Sequence, residues 1–459
     1  MINLRIEYIF DRKKRNNYKM KLYKIFFVSI VLVIANLDAK SQEITNLSLE
    51  DAVSIALEKN FDIQISKKYQ ESANVNNTWA AAGMFPSVSV GLSQTNRFTN
   101  SESMTTDDRT DAINAGVNPY IQLQWMLFNG FSVYITKDKL QLIKELSEGN
   151  TALIVENKIQ AVVLAYYSSL RNLEKLETIE KVKKLSRDRY NYMQTKKDFG
   201  SAVSYDVLQA KNAYLSDSSN YLLQSLELKK SKLNLNLLMG VEKDIAFDLT
   251  SEFKSISEDY KYYDLEDKMF SSNKTLLNQY INQEVLMKDV ALAKSLVWPS
   301  LSMAGGSEYA SSYLRYSGTD PNNSYSYNFY VNFSLNFNLY NGGKTRRAIQ
   351  QAAIQQEIGD IEQSQIKQTL SNGLLTIYEM YEIRKQLLEV ADARLESAQL
   401  NLDLSTENVK NGSINSFNFR DVQIQFINAE FSRVEAVYNL IDTHTELLRA
   451  TGGIISEFE

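Results

Sequence analysis

The stretch NFYVNFSLNFNLYNGG, residues 328–343, alternates apolar and polar side chains without a break. The apolar positions are Phe329, Val331, Phe333, Leu335, Phe337 and Leu339. Because successive side chains of a strand point to opposite faces, the stretch predicts a β-strand with one apolar face and one amide-rich face. Asn341, Gly342 and Gly343 end the pattern. Such a strand suits a soluble sheet, and it equally suits a wall between lipid and water.

The composition indicates a folded protein and argues against several kinds of site. Of 459 residues, 44% are hydrophobic and 23% are charged, which is typical of a folded rather than a disordered chain. The formal net charge is -5, so we expect no nucleic-acid partner, because nucleic acid favours a basic surface. The chain has no cysteine, and His444 is its only histidine. We therefore expect no disulfide, no metal site and no cofactor.

Residues 1–41 have the organisation of an export signal, with Met20 as the predicted start. Basic residues precede an apolar run from Ile25 to Ala35, and Ala39-Lys40-Ser41 has the small-x-small form of a cleavage site. The apolar run is shorter than the roughly 20 residues that a spanning helix needs. No later segment is as apolar as a spanning helix, so a membrane location would require strands.

The sequence contains the same unit twice. Leu127-Phe128-Asn129-Gly130 recurs as Leu339-Tyr340-Asn341-Gly342, Gly200-Ser201 as Gly412-Ser413, and Gly240 as Gly452, with the offset 212 each time (339 − 127, 412 − 200, 452 − 240). A register kept over this distance indicates two copies of one structural unit. We predict repeats over residues 42–240 and 265–453, a linker over 241–264 and a C-terminal tail over 454–459.

Each repeat is predicted to contain a helix, a β-hairpin, a long helix and a returning helix. In the first repeat these elements cover 61–85, 86–128, 131–199 and 201–239; in the second they cover 274–298, 299–340, 344–411 and 413–451. The hairpins are expected to have strands of about 9 to 13 residues and long polar loops at 95–116 and 311–327. The first helix of each repeat ends at a proline, Pro86 or Pro299. Proline is absent from the long helical stretches, and glycine follows each long and each returning helix, as is common at helix termini.

Four amphipathic strands per chain have a consequence for assembly. Strands of this length cross an outer membrane when tilted, but an open sheet edge in lipid leaves backbone groups unpaired. Two chains would give about eight strands, whose interior fills with side chains, whereas three give about twelve and begin to leave a passage. A long helix of about 68 residues spans roughly 100 Å, so the passage would continue beyond the membrane.

Four motifs carry a resemblance to a known family. LSLEDAVSIALEKNFDIQISKKY, AAAGMFPSVSVGLS, LQWMLFNGF and KDFGSAVSYDVLQAKNAYL resemble the outer membrane efflux protein family of TolC-like channels. The resemblance covers nearly all of the mature chain. It implies a mixed α+β membrane protein with four transmembrane β-strands per chain, which contribute to a trimeric 12-stranded barrel continued by a long α-helical periplasmic tunnel. The linker 241–264 and the tail 454–459 would form an equatorial belt.

The family also implies a function and partners. The protein would be the passive outer-membrane exit duct of a tripartite efflux or type I secretion system, and not an enzyme. Its partners would be two further copies in a homotrimer, a periplasmic adaptor, an inner-membrane pump and outer-membrane lipid. The sequence does not indicate whether the cargo is a drug, a metal ion or a polypeptide.

The resemblance further implies site residues at the periplasmic end of the helices. Gly200, Ser201, Gly412 and Ser413 would be the adaptor-binding turns, and Asp206, Asn418 and Asp421 would narrow the aperture. Asn418 stands where some relatives have an aspartate, so the ring would carry less charge. Alternatively, acidic residues in a first helical turn are simply favoured by the helix dipole.

Other classes of protein fit the sequence less well. An exported soluble coiled-coil scaffold or adhesion protein would explain the helices but not four amphipathic strands at repeated positions. A periplasmic adaptor would need β-rich modules that the sequence does not indicate. An enzyme would need a phosphate loop, nucleophile elbow or metal-ligand cluster, and none is apparent.

Overall fold

A computed structural model describes residues 45–102, 109–243, 245, 247–254, 258–411 and 413–458. The predicted signal peptide, residues 1–41, lies outside these ranges. In chain order the elements are β1 Thr45–Leu47, α1 Leu49–Lys59, α2 Phe61–Asn76, β2 Ser87–Glu102, β3 Arg109–Asn129, α3 Ser132–Asp198, α4 Ser204–Met239, β4 Phe247–Leu249, α5 Tyr262–Ser272, α6 Lys274–Ser295, β5 Ser300–Tyr316, β6 Asn322–Asn336, α7 Lys344–Lys410, α8 Ser416–Ala450 and α9 Ile454–Phe458.

The chain divides into two units. In one, β1 pairs in parallel with β4, and Thr45 lies opposite Phe247. The other contains residues 48–243 and 251–459, and therefore both hairpins and all the helices. The linker and the tail of the sequence analysis thus contain β4 and α9, and the linker ends within α5.

The second unit contains one antiparallel sheet in the order β2-β3-β5-β6. Each repeat supplies one hairpin, and β3 pairs with β5 to join the two. One face carries the apolar side chains of β6, such as Phe329, Phe333 and Leu335, which are 80%, 64% and 70% exposed. The register places Val88, Val90 and Ile121 on this same face. The opposite face carries mainly Ser, Thr, Asn and Gln.

The strands are longer than the sequence analysis predicted. They contain 16, 21, 17 and 15 residues, so most of the expected polar loops are paired strand. Pairing across each hairpin satisfies the backbone hydrogen bonds of polar residues as well as those of apolar ones. The pattern of apolar residues alone therefore did not indicate how far the strands extend.

The second hairpin also ends earlier than predicted, at Asn336 instead of residue 340. Asn336 pairs with Ser300, the first residue of β5, so no partner strand extends further.

The helix predicted over 61–85 is also shorter, because α2 ends at Asn76 and residues 78–83 form turns. The matching helix of the second repeat, α6, continues to Ser295. The difference follows from composition. The end of α2 contains three asparagines, Asn74, Asn76 and Asn77, whereas the matching segment of α6 is richer in helix-forming residues. Asparagine side chains compete with the helix for backbone hydrogen bonds.

A matched joint connects the short helices to the returning helix in each repeat. Asn60 caps α2 and donates from Nδ2 to the Leu238 carbonyl at 2.7 Å. Asn273 caps α6 and donates to the Ala450 carbonyl at 2.9 Å. A Cβ on Gly240 would lie 2.3 Å from the Lys59 carbonyl oxygen. The asparagine and glycine therefore stack α4 end to end on the α1–α2 corner, and α8 on the α5–α6 corner.

The core contains a buried carboxyl group, Glu156 of α3, which is 3% exposed. Its Oε1 has no hydrogen-bond partner among the described residues. Burial raises the pKa of Glu156 to about 7, and the charges of Lys274 and Arg449 act to lower it. The folded protein therefore binds a proton at this site over a pH range in which the unfolded chain has released it.

Glu156→Gln is expected to stabilise the protein at pH 8 and to change little at pH 4. A raised folded-state pKa contributes stability below the unfolded pKa, and this contribution is lost as pH rises through about 7. The variant should gain up to about 3 kcal/mol in the free energy of unfolding at pH 8. Denaturant titrations at both pH values measure it. Glu58→Gln, on the exposed side of α1, is the control, and an equal gain at both pH values would contradict the assignment.

Candidate functional site at the helical turns

The turn between α3 and α4 has the hydrogen bonds of a Schellman cap. Gly200 donates to the Lys197 carbonyl and Ser201 donates to the Lys196 carbonyl, both at 2.8 Å. Gly200 has a φ of +73°, and no atom lies within 4 Å of a Cβ built on it. The backbone conformation, rather than crowding, therefore requires glycine here.

The turn between α7 and α8 has one of the two hydrogen bonds that close the first turn. Ser413 donates to the Asn408 carbonyl at 2.9 Å, in the position that Ser201 has in the first turn. Gly412 lies outside the described residues. Asn415 then begins α8, and its Oδ1 accepts from the backbone of Phe417 and of Asn418 at 3.0 and 2.8 Å. Ser201 and Ser413 are both exposed, so the two turns offer accessible surface.

Of the residues predicted to narrow the aperture, Asp206 lies in the first turn of α4 and Asn418 in the first turn of α8, whereas Asp421 lies in the second turn of α8. Asp206 is half-buried, whereas Asn418 and Asp421 are exposed. Asp421 accepts a hydrogen bond from Gln425 of its own helix at 2.8 Å. Within the part of the chain that the structure describes, these three side chains make no hydrogen bond or ion pair with one another.

A buried ion pair close to the turns was missed by the sequence analysis. Arg420 of α8 makes two hydrogen bonds of 2.7 Å to the two carboxylate oxygens of Asp217 in α4. Asp217 is 2% exposed, and it also accepts a hydrogen bond from Ser186 of α3. This arrangement joins the helical hairpin of the first repeat to that of the second.

A second arginine lies beside this pair. Arg189 of α3 is buried, with its guanidinium carbon 5.4 Å from the centre of the Phe419 ring. Burial lowers the pKa of Arg189, as does the charge of Arg420, while Asp206 raises it. Asp206 therefore acts electrostatically on the same cluster that Asp217 neutralises directly.

Apolar packing surrounds these charges. Val182, Leu402, Phe419 and Phe426 form a buried cluster among α3, α7 and α8. A sequence signal for Asp217 exists in retrospect, because it continues the buried stripe of α4 that begins with Val207 and Ala210 at helical spacing. Nothing in the sequence indicated that its partner would be Arg420, which is 203 residues away.

The described residues contain no group of three His, Asp or Glu side chains arranged to hold a metal ion. None of the described helices has an apolar segment of the length and composition needed to cross a bilayer.

Two hairpins in one sheet, with paired helices of 67 and 35 or 36 residues in each repeat, define the class of outer membrane channels with long helical tunnels. The family model named Outer membrane efflux protein matches residues 52–241 and 266–453, and the chain belongs to this family. The two matched segments correspond to the two repeats.

Relatives and solved structures agree with this assignment. Outer membrane protein TolC of Vibrio cholerae is 22% identical over 339 residues, which are 72% of this chain and 76% of the relative. A membrane protein from Pseudomonas aeruginosa has a TM-score of 0.71 at 15% identity, over 88% of this chain and 93% of the other. The outer membrane protein VceC from Vibrio cholerae has a TM-score of 0.68 at 13% identity, over 88% and 96%. At such identities, the structural similarity shows the fold alone.

Family membership confirms the predicted fold class of helices and strands in an internal repeat. It also confirms the bacterial outer membrane, with extension into the periplasm, as the location. The family consists of channels for efflux and not of enzymes. The alternative of a soluble exported scaffold or adhesion protein is therefore wrong: four strands with an exposed apolar face fit lipid, which a soluble scaffold does not contact.

Proposed function

We propose that three copies of this chain form a twelve-stranded barrel in the outer membrane, and that the helices continue it as a tunnel through the periplasm. The assembly would be the passive exit duct of a tripartite efflux or type I secretion system. The observation that carries the proposal is the four-stranded sheet. Its edge strands β2 and β6 pair with β3 and β5 on one side, and within the described part of the chain neither has a partner strand on its outer side. In lipid, each edge needs a partner strand, and a neighbouring copy supplies one.

Exposed apolar side chains on the helices also support the proposal that three copies assemble, independently of the sheet. Leu222 and Leu237 of α4 are 69% and 70% exposed, and Ile361 and Leu400 of α7 are 67% and 61% exposed. Exposed apolar surface of this extent, repeated along a helix, is typical of an interface. A second and third copy would cover it.

We further propose roles for the turns. Gly200, Ser201, Gly412 and Ser413 would receive a periplasmic adaptor, which would connect the duct to an inner-membrane pump. Asp206, Asn418 and Asp421 would line the closed periplasmic aperture. The exposure of Ser201, Ser413, Asn418 and Asp421 supports this proposal.

Membrane fractionation combined with gel electrophoresis tests the assembly. We expect the protein in the outer membrane fraction, migrating as a trimer before heating, because closed barrels resist detergent. After boiling it should migrate as a single chain below the 52.5 kDa of the full sequence, because the predicted signal peptide is removed. A monomer that stays soluble without detergent would contradict the proposal.

A further inference from the structure

The polar face of the sheet carries one charged residue far from the hairpin tips, Glu308. It lies at the middle of β5, where it pairs with Tyr120 of β3 on one side and Asn328 of β6 on the other. The other charged residues of the four strands are Arg97, Glu102, Arg109, Asp111 and Arg315. All of these lie at or beyond the row in which Leu314 pairs with Asn322, the last row of the second hairpin.

Glu308 belongs to the face opposite the apolar one. Its strand neighbours Gly306 and Ala310 share its face, while Ser307 and Tyr309 point to the apolar side. Leu314 lies six positions further along β5, which is about 20 Å along a strand. Among the described residues, no Lys, Arg or His forms an ion pair with Glu308. The carboxylate is therefore an isolated charge surrounded by hydroxyl and amide side chains.

Two tyrosines on the same face lie against glycines rather than over this carboxylate. A Cβ on Gly91 would be 2.4 Å from the Tyr120 ring, and one on Gly306 would be 2.9 Å from the Tyr330 hydroxyl. The ring of Tyr120 therefore extends onto β2, away from β5. Because glycine leaves room for each ring to lie against the sheet, the space in front of Glu308 is not filled by them.

We propose that Glu308 sets the ion preference of the strand-built part of the duct, favouring cationic over anionic solutes. The inference rests on the proposed trimer, in which three copies place three carboxylates in one ring. A charged side chain in the middle of a barrel strand is destabilising when it faces lipid. When it faces the water-filled interior it is tolerated, and it influences which solutes pass. Rings of carboxylates favour cations, and the effect extends over about 10 Å at 0.1 M salt.

The absence of natural cysteine allows the local potential to be measured. Ala310→Cys places a thiol on the polar face beside Glu308, and we expect cationic thiol reagents to modify it faster than anionic ones. Adding Glu308→Gln should lower the cationic-to-anionic rate ratio by about threefold or more at 0.1 M salt. Asp320→Asn, in the turn between β5 and β6, should leave the ratio unchanged. Ser307→Cys, on the apolar face between Ile121 and Phe329, should remain unmodified.

Planar bilayers provide a second readout. Under a KCl gradient, Glu308→Gln should lower the ratio of potassium to chloride permeability about twofold or more, and the difference should shrink at 1 M salt. An unchanged rate ratio and an unchanged permeability ratio in conducting, heat-sensitive trimers would overturn the role of Glu308 while leaving the proposed function intact. Failure to form trimers or conduct ions would instead overturn the proposed function.

Discussion

Tryptophan at both Ser201 and Ser413 is expected to abolish export while trimers still form in the outer membrane. Both serines are exposed and contribute only backbone hydrogen bonds to their turns, so a larger side chain leaves the helices undisturbed. It would project from the surface proposed to receive the adaptor. A steric cost of about 3 kcal/mol in docking corresponds to roughly a hundredfold weaker binding. Efflux rate in cells and adaptor binding by purified trimers are the measurements.

The matched control is Thr319→Trp, since Thr319 is also an exposed turn residue but lies between the strands β5 and β6. It should export normally. Normal export by the double variant at Ser201 and Ser413 would refute the docking role of the turns. Loss of the heat-sensitive trimer would show that the substitutions act on assembly instead, so both readouts are needed.

Arg420→Ala is expected to destabilise the protein by about 3–5 kcal/mol, because it leaves the carboxylate of Asp217 buried without its cation. Arg420→Lys should recover only part of this loss, since an ammonium group does not reproduce the two parallel hydrogen bonds of the guanidinium. The change should appear as a lower denaturant midpoint and as earlier proteolysis near the turns, where the pair joins the two helical hairpins.

The double variant Asp217→Ala with Arg420→Ala tests the coupling. It should be less destabilised than the sum of the single variants, because removing both charges leaves neither one buried alone. Arg433, which pairs with Asp392 at 2.9 Å, is the control: these side chains are 30% and 52% exposed. Arg433→Ala should cost about 1 kcal/mol or less. Additive effects at Asp217 and Arg420 would mean that the pair contributes nothing as a pair.

Where strands lie could be predicted from local sequence, but how far they extend could not. Alternation of apolar and polar residues marked β6 from Phe329 onward, because one face of the strand meets an apolar medium. The outer parts of the hairpins, such as Ser324 and Tyr325 of β6, have no such contrast. Their strand conformation comes from pairing with β5, which satisfies the backbone whatever the side chains are.

In the candidate site, too, some residues could be predicted from local sequence and others depend on tertiary contacts. Gly200 was identified from the repeat because a left-handed turn selects glycine over every other residue. The pairing of Asp217 with Arg420 was not identified, since a carboxylate and a guanidinium anywhere on two helices look like solvated charges until the helices pack. The joints at Asn60 and Asn273 are intermediate: the repeat indicated that the two positions are equivalent, and only the fold revealed the carbonyl groups to which they donate.

The sequence by itself determined the doubled unit, the alternating strands, the proline-free helices and the glycines that end them, because each depends on the conformation of neighbouring residues. The tertiary structure decided the full length of the strands, the buried pair between the hairpins and the position of Glu308 at the centre of the polar face. Those features depend on which distant segments lie side by side, and a contact between residues some 200 positions apart has no local pattern to record it.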